Sequence, residues 1–237
     1  MNVILCGYNW TGCKALQYLL DLKYNIFVYT HGNPSHIPSL IEMCKANGVD
    51  YSTENISKVT LPFEPDIICS IYYRYIIKEH IIEAYQGKIF NLHPALIPKY
   101  RGCSSLTWAL INGEEFAGFT FHYINKGIDT GRIILQEKVR IESFDTQATL
   151  YKRAMFKAME AFPTTLDKVI ANYKGREQDG EVSYYKRGCP HDGIINPNWD
   201  EKYIKRFIRA MIYPPYPPAF FQGKEVYTYE DYLKLKA

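Results

Sequence analysis

The sequence predicts an α/β protein with a mostly parallel, doubly wound sheet and a small antiparallel β appendage at its C-terminal end. Up to about residue 171, short apolar runs rich in β-branched residues alternate with segments whose apolar residues recur at helical spacing. Beyond about residue 175 the composition changes, because six of the thirteen prolines lie there. We therefore expect a main domain over residues 1–175 and a small subdomain over residues 176–237.

The individual elements follow from these two periodicities. Strands are predicted in four short β-branched runs, at residues 2–6, 25–29, 66–71 and 88–92. Helices are predicted where the apolar spacing changes, at residues 12–20, 37–46, 77–85 and 106–111. Later elements are two longer strands and one long helix that follows the N-cap pair Asp145-Thr146, at residues 119–124, 133–141 and 147–171. In the appendage we expect a helix at residues 201–211 and a hairpin around Gln222-Gly223.

A sheet of this kind binds ligands at the carboxyl ends of its strands, where the strand order reverses. Gly7, Ser70 and Asn91 all lie near the predicted strand ends. The sequence therefore places a candidate ligand site at this edge of the sheet.

The composition excludes several classes of protein. The 237 residues are 47% apolar and 22% charged, as in an ordinary globular chain. The six cysteines include no CxxC pair, which is typical of reduced thiols in a cytoplasmic protein, and we assign no metal ligands. We expect no signal peptide and no membrane span, because the start lacks a cationic leader and no apolar run is long enough. The net charge of +3 is too small to indicate a nucleic-acid partner.

Three polar side chains combine around the end of the fourth predicted strand. Asn91 and His93 share a strand parity, so an extended chain directs both to the same side. Asp129 lies in a glycine-bracketed loop, residues 127–131, where the backbone can approach a ligand closely. An amide can donate to an oxyanion, an imidazole can donate or move a proton, and a partly buried carboxylate can accept one. The set suits acyl transfer to an amine, although the same residue types also serve as strand-end caps.

Two longer segments carry a more specific signal: NLHPALIPKYRG (91–102) and GFTFHYINKGIDTGRIILQ (118–136). In both, the chain resembles the folate-dependent formyltransferases, and the resemblance extends from the start to about residue 171. It implies a Rossmann-like fold, N10-formyltetrahydrofolate as formyl donor, and Asn91, His93 and Asp129 as catalytic residues. It also implies two loops whose backbone groups bind the pterin edge of the cofactor, formed by Tyr75, Ile76, Ile77, Asn125, Lys126, Gly127, Ile128 and Asp129.

The segment HDGIINPNWDEKYIKRFIRAMIYPPYPPAFFQGKEVYTYEDY (191–232) is similar to the corresponding part of the sugar N-formyltransferases. This resemblance implies an acceptor amine on a dTDP-linked amino-dideoxyhexose for O-antigen and lipopolysaccharide synthesis. The best candidate is dTDP-4-amino-4,6-dideoxyglucose, with a 3-amino sugar as the other option. Cys103 also favours a dTDP-sugar, since UDP-sugar relatives carry arginine there. A nucleotide diphosphate is bound by cations and amides, and its base by aromatic rings. The predicted substrate-binding residues of these kinds are Tyr8, Asn9, Trp10, Arg74, Arg101, Arg209, Tyr213 and Tyr216.

Other acceptors and activities remain alternatives. Phosphoribosylglycinamide and methionyl-tRNA formyltransferases share the resemblance, as do hydrolases of formyltetrahydrofolate. The mixed charge of the tail argues against a tRNA acceptor. Tyr8 and Trp10 argue against a ribonucleotide acceptor, because the ribonucleotide enzymes carry a glycine- and asparagine-rich loop at this place. A non-enzymatic binding protein is a further alternative, against which the intact Asn91, His93 and Asp129 argue. The aromatic hairpin near the end of the chain favours a homodimer.

Overall fold

The computed structural model describes residues 1–236. The strands are β1 (Asn2–Gly7), β2 (Asn25–Tyr29), β3 (Asp50–Ser52), β4 (Ile67–Ile71), β5 (Ile89–His93), β6 (Arg101–Gly102), β7 (Phe116–Tyr123), β8 (Ile133–Arg140), β9 (Tyr184–Tyr185), β10 (Ala219–Phe221) and β11 (Lys224–Val226). The α-helices are α1 (Asn9–Asp21), α2 (Leu40–Asn47), α3 (Glu79–Ala84), α4 (Ser105–Asn112), α5 (Gln147–Ile170), α6 (Glu201–Ala210) and α7 (Tyr229–Lys236). Short 3-10 turns occur at Ile56–Lys58 and Pro190–Gly193.

The main sheet contains seven strands in the order β3-β2-β1-β4-β5-β7-β8. β1 pairs in parallel with β2 and β4, β4 pairs in parallel with β5, and β5 pairs antiparallel with β7. The strand order reverses at β1, so the carboxyl ends of β1 and β4 flank a topological switch point, where such sheets bind ligands. The predicted mostly parallel sheet and the small antiparallel hairpin, β10 with β11, are confirmed.

The observed elements differ from the predicted ones mainly at their ends. α1 begins at Asn9 rather than at residue 12, and the Asn9 side-chain oxygen accepts the backbone N–H of Thr11 at 2.8 Å, which satisfies a donor of the first turn. α2 begins at Leu40, where the Ser39 side chain caps the helix by accepting the backbone N–H of Glu42. Four of the strands and α-helices, β3, β6, β9 and α7, have no counterpart among the predicted ones. β3 has only three residues, and pairing with β2 makes them a strand.

A cluster of three phenylalanines joins the sheet to α5. Phe90 of β5, Phe121 of β7 and Phe162 of α5 are fully buried, and their ring centroids lie 6.1 to 6.3 Å apart. Tyr18 of α1 adds an edge-on contact to Phe162 at 5.9 Å. Aromatic contacts of this kind contribute beyond the burial of apolar area. The cluster therefore fixes β5, the strand that carries Asn91 and His93.

Replacing Phe162 by alanine is expected to lower the free energy of unfolding by about 3–5 kcal/mol, because the cavity left among the rings cannot collapse fully. Urea titration of the variant checks this value. Phe156 of the same helix is 56% exposed, so Phe156→Ala is a matched control, with an expected change of about 0.5 kcal/mol or less. Equal losses in both variants would contradict the assigned core.

The chain forms two compact units, each built from three segments. The first unit contains Met1–His93, Thr120–Gln136 and Lys157–Gln178. The second contains the two intervening segments and the chain from Asp179 onward. These units interleave along the sequence, whereas the predicted domains have a single boundary at residue 175, which stays a prediction.

Within the second unit, polar contacts and a tight turn order the C-terminal segment. Arg206 of α6 donates from Nε to the carbonyl oxygen of Ile111 in α4 at 2.9 Å. Between β10 and β11 the chain turns at Gln222 and Gly223, whose φ angles are 50° and 76°. Two consecutive positive φ values are those of the type I′ turn that suits a two-residue hairpin. Across residues 1–236, every helix is too short or too polar to span a membrane.

Candidate active site

β5 carries Asn91 and His93, and its two neighbouring strands supply the side chains beside them. The strand register places Ser70 of β4 on one side of Asn91 and His122 of β7 on the other. All four residues belong to the first unit. Ser70, His93 and His122 are buried, so water screens the polar contacts of these side chains only weakly.

Asp129 joins this cluster from the loop between β7 and β8. Its Oδ2 lies 3.4 Å from Nδ1 of His93, and its Oδ1 lies 3.4 Å from Nε2 of His122. The carboxyl group therefore lies between two imidazoles. A carboxylate oxygen and an unprotonated ring nitrogen both carry only lone pairs, so either contact becomes a hydrogen bond only when one of its partners carries a proton. The three groups are thus arranged to hold and exchange protons.

The loop that presents Asp129 is held by backbone contacts. Asp129 has a φ of 53°, in the left-handed region that non-glycine residues seldom adopt. The side chain of Gln178 donates to the carbonyl oxygens of Asp129 and Gly131, each at 2.8 Å. A Cβ at Gly131 would lie 1.7 Å from the carbonyl oxygen of Tyr123, so only glycine fits there. These contacts support the unusual backbone that directs the carboxylate to the histidines.

The Asn91 amide is held at both of its polar ends. Ser70 Oγ donates to Asn91 Oδ1 at 2.9 Å, and Asn91 Nδ2 lies 3.3 Å from His122 Nε2. Each amide nitrogen has two N–H groups, so the contact with His122 leaves the second N–H for an oxygen of a ligand. Chemically, the site combines an amide donor, an imidazole and a carboxyl group. It can stabilise negative charge on an oxygen and accept a proton from an attacking amine.

The two predicted cofactor loops lie in the same unit and are connected by Lys126. Its Nζ forms ion pairs with Glu79 and, at 2.9 Å, with Glu83, both on α3 directly after residues 75–77. Ile76 of one loop is 70% exposed and Ile128 of the other is 49% exposed. Exposed apolar side chains of this kind suit contact with a flat, partly apolar ligand. The Lys126 side chain is thus engaged with α3, and a backbone contact of this residue with the cofactor stays a prediction.

The other predicted cofactor residues have varied surroundings. Ile77 is buried, whereas Asn125 is exposed and accepts the Thr130 hydroxyl at 2.7 Å. The Tyr75 ring lies edge-on to His31 at 6.2 Å. Gly127 is packed so closely against Thr130 that a Cβ would lie 2.2 Å from the hydroxyl oxygen.

Four predicted substrate residues lie in the first unit, after the carboxyl ends of β1 and β4. The backbone N–H of Tyr8 donates to the carbonyl oxygen of Ile71 at 3.1 Å, which joins these two strand ends. The Arg74 guanidinium lies 5.4 Å from the Tyr75 ring centre. The oxygen of Asn9 already accepts from Thr11, and the Trp10 ring lies 5.9 Å from Lys14 Nζ.

The other four, Arg101, Arg209, Tyr213 and Tyr216, lie in the second unit. Arg209 Nη1 donates to carbonyl oxygens of the segment before α5, including those of Glu142 and Asp145 at 3.3 and 3.1 Å. Its guanidinium thus orders a loop, and a role in diphosphate binding stays a prediction. Tyr213 and Tyr216 lie together, with ring centres 5.8 Å apart. Arg101 lies in β6.

His31, just after β2, is a buried histidine that the sequence did not indicate. Its ring stacks on Tyr8 with centroids 4.1 Å apart, and its Nδ1 is buried without a hydrogen-bond partner. Burial, and secondarily the positive charge of Arg74, lowers the pKa of His31 from 6.5 to about 4. The native state therefore holds this ring neutral near pH 7.

This pKa predicts how stability depends on pH. Between about pH 6.5 and pH 4 the unfolded state binds the His31 proton and the native state does not, so stability falls as the pH is lowered through this window. From about pH 7 to pH 4.5 the loss is expected to be about 2 kcal/mol. Urea titrations at both pH values should show a smaller loss for His31→Gln than for the wild type. The exposed His36 provides a control, and an unchanged loss in His31→Gln would contradict the assignment.

Ser70, His122 and Gln178 contribute to the cluster but were not among the predicted site residues. His122 ends the G-x-T-x-H pattern, so the motif itself was the available signal. Ser70 lies near a predicted strand end, but its contact with Asn91 depends on the pairing of β4 with β5. Gln178 follows in the chain 47 residues after Gly131, and no local pattern connects them. Among residues 1–236, no group of three or more His, Cys, Asp or Glu is arranged to hold a metal ion.

The chain is similar to proteins of known family and structure. The family model described as formyl transferase matches residues 25–166. A GDP-perosamine N-formyltransferase of Brucella melitensis is 37% identical, over 96% of this chain and 92% of its own length. The structure of WlaRD, a sugar 3N-formyl transferase studied with dTDP and 5-N-formyl-THF, superposes with a TM-score of 0.83 at 26% identity, over 96% of this chain and 85% of that one. The structure of an N-formyltransferase of Helicobacter canadensis, in complex with folinic acid and dTDP-3-aminofucose, superposes with a TM-score of 0.80 at 26% identity. This match covers 96% of this chain and 86% of that one.

Proposed function

The chain belongs to the formyl transferase family, and on that premise we propose that it moves a formyl group from N10-formyltetrahydrofolate to the amino group of a nucleotide-linked amino sugar. The observation that carries the proposal is the Asp129 carboxyl group, which lies 3.4 Å from His93 and 3.4 Å from His122 beside the fixed amide of Asn91. The first unit thus contains both a hydrogen-bond donor for a developing oxyanion, the Asn91 amide, and an acceptor for the proton of an amine, the Asp129 carboxyl group.

We assign one role to each catalytic side chain. Asn91 and protonated His93 donate hydrogen bonds to the formyl oxygen as negative charge develops on it during attack by the neutral amine. Asp129 orients His93 through Nδ1 and favours its charged form. Asp129 also receives the proton that the amine loses, directly or through a water molecule. The bond between the formyl carbon and N10 of the folate then breaks, and this proton is passed to N10, so that neutral tetrahydrofolate leaves. A fixed arrangement of this kind lowers the barrier because the polar groups need not reorganise during the reaction.

The cofactor loops fit the proposed donor. Exposed Ile76 and Ile128 supply apolar area for a flat ring, and residues 125–128 are exposed, so their backbone can reach the polar edge of that ring. The folate supplies the formyl group in a form that an amine can attack. The protein's part is to bind it between these loops and to hold the amine at attack distance, which removes much of the entropic cost of the reaction.

Two acceptors are supported by different observations. The tail of the chain favours a dTDP-linked amino-dideoxyhexose, with dTDP-4-amino-4,6-dideoxyglucose as the best guess. The two superposed structures, a sugar 3N-formyl transferase studied with dTDP and an enzyme in complex with dTDP-3-aminofucose, support the dTDP carrier and the 3-amino sugar as the other option. GDP-perosamine is the second candidate, because its N-formyltransferase is 37% identical over nearly the whole chain. Either product fits O-antigen synthesis, and a cytoplasmic homodimer is our expectation for the enzyme. Ribonucleotide, tRNA and water remain the alternative acceptors.

Acceptor screening by mass spectrometry tests this proposal. The protein is incubated with N10-formyltetrahydrofolate and a mixture of dTDP-4-amino-, dTDP-3-amino- and UDP-4-amino-sugars, GDP-perosamine and glycinamide ribonucleotide. We expect one formyl unit to be gained by a dTDP-sugar or by GDP-perosamine, and the gain to disappear in His93→Ala. Formylation of the ribonucleotide alone, or release of formate without any formylated amine, would overturn the proposal.

A further inference from the structure

The orientation of the Asn91 amide decides whether it can act as an oxyanion donor. A side-chain amide has a donor end and an acceptor end of almost equal shape, and a half-turn of the side chain exchanges them. One orientation presents N–H to the formyl oxygen, and the other presents a second oxygen that would repel it. The structure must therefore contain groups that distinguish the two ends.

His122 is the first of these groups. Its Nδ1 lies 2.8 Å from the carbonyl oxygen of Tyr123, and a carbonyl can only accept, so Nδ1 carries the proton. In the neutral ring, Nε2 then has only a lone pair, so it forms no hydrogen bond with the Asp129 carboxylate oxygen 3.4 Å away until Asp129 has taken up a proton. Nε2 can accept from the amide N–H at 3.3 Å, but it would repel the amide oxygen. The backbone of β7 thus fixes the tautomer of His122, and this tautomer selects the end of the amide that it faces.

Ser70 acts on the opposite end. Its hydroxyl donates to Asn91 Oδ1 at 2.9 Å from the adjacent parallel strand, and Ser70 is itself buried. Without this hydroxyl, the amide oxygen would lose its partner in a largely dry environment and the amide would rotate in search of another donor. We propose that Ser70 is a positioning residue that holds the Asn91 amide in its donor orientation toward the formyl oxygen. The inference rests on the proposed function of the same site.

Kinetics of three Ser70 variants test the inference. Ser70→Ala is expected to lower kcat about tenfold while KM for both substrates changes by about twofold or less, since the hydroxyl acts on Asn91 and touches neither substrate. Ser70→Cys keeps the volume but offers only a weak donor, so it should resemble Ser70→Ala. Ser70→Thr retains the hydroxyl and should restore most of kcat. Thr165→Ala removes another buried hydroxyl, in α5, and is the control for a general loss of stability.

A double-mutant cycle separates positioning from a structural effect. If Ser70 acts only through the amide, Ser70→Ala should cause no further loss of kcat in an Asn91→Ala background. Losses that multiply in the double variant would overturn the inference. An unchanged kcat in Ser70→Ala, or a loss confined to KM, would also overturn it.

Nitrogen NMR provides a readout that does not require turnover. In the wild type we expect His122 to carry its proton on Nδ1 and the Asn91 side-chain N–H to show a hydrogen-bond coupling to His122 Nε2. Ser70→Ala should weaken that coupling. A His122 proton on Nε2, or a coupling unaffected by Ser70→Ala, would overturn the inference even if no acceptor were formylated. An inactive wild type that shows the expected coupling and its weakening would contradict the proposed function and support the amide orientation.

Discussion

Replacing Asn91 by alanine is expected to lower kcat by about 10²–10³ while the protein remains folded, because the variant loses an N–H that is fixed toward the developing oxyanion. The rate is measured by the release of tetrahydrofolate in the presence of the acceptor identified by screening. KM for the acceptor should change little, since the amide contributes mainly as charge develops on the formyl oxygen.

Asn25 offers a matched control for this substitution. It is an exposed asparagine at the start of β2 in the same sheet, and its amide donates to the Asn2 side chain at 3.0 Å. Asn25→Ala should leave kcat unchanged. If Asn91→Ala retained more than about a third of wild-type kcat, Asn91 would not be an oxyanion donor.

Replacing Asp129 by asparagine is expected to lower kcat by about 10²–10⁴, because an amide cannot accept the proton of the attacking amine. The substitution also removes the negative charge that lies between His93 and His122, at 3.4 Å from each ring. The charged form of His93 then loses its stabilising partner. Both effects act in the same direction, so this loss should equal or exceed that of Asn91→Ala.

The control for this charge change is Asp179→Asn, which alters an exposed aspartate next to Gln178. Its kcat should match the wild type, and thermal unfolding of both variants should show that they are folded. Rates that fall equally in the two variants would indicate an effect of net charge rather than of the carboxyl group at the site.

The fold could be predicted largely from local sequence signals. β-Branched runs such as residues 25–29 gave a strand at its observed bounds, and Gln222-Gly223 gave the hairpin turn because positive φ angles strongly restrict the residue types. β3 could not be predicted in the same way, because its strand character depends on pairing with β2. Pairing is a tertiary property, and three residues carry too little periodicity to indicate it.

In the candidate site, too, some residues could be predicted from local sequence signals, whereas others depend on the pairing of strands. The shared parity of Asn91 and His93 and the glycine-bracketed loop around Asp129 were visible in the sequence, and the structure brings these three residues into one cluster with His122. The role of His122 depends on the antiparallel register between β5 and β7, which no local pattern specifies. The hydrogen bonds from Arg209 to backbone carbonyls before α5 also depend on tertiary packing, and its predicted role in ligand binding stays a prediction.

We propose that the Asn91, His93 and Asp129 cluster transfers a formyl group to a sugar amine. A single-turnover reaction with a donor labelled by carbon-13 in the formyl group, followed by carbon NMR, tests this transfer. We expect the label to move to an amide on the nucleotide sugar, and His93→Ala to abolish this transfer. A label that appears only as free formate, or one that reaches the sugar equally well in His93→Ala, would show that the cluster does not catalyse the transfer.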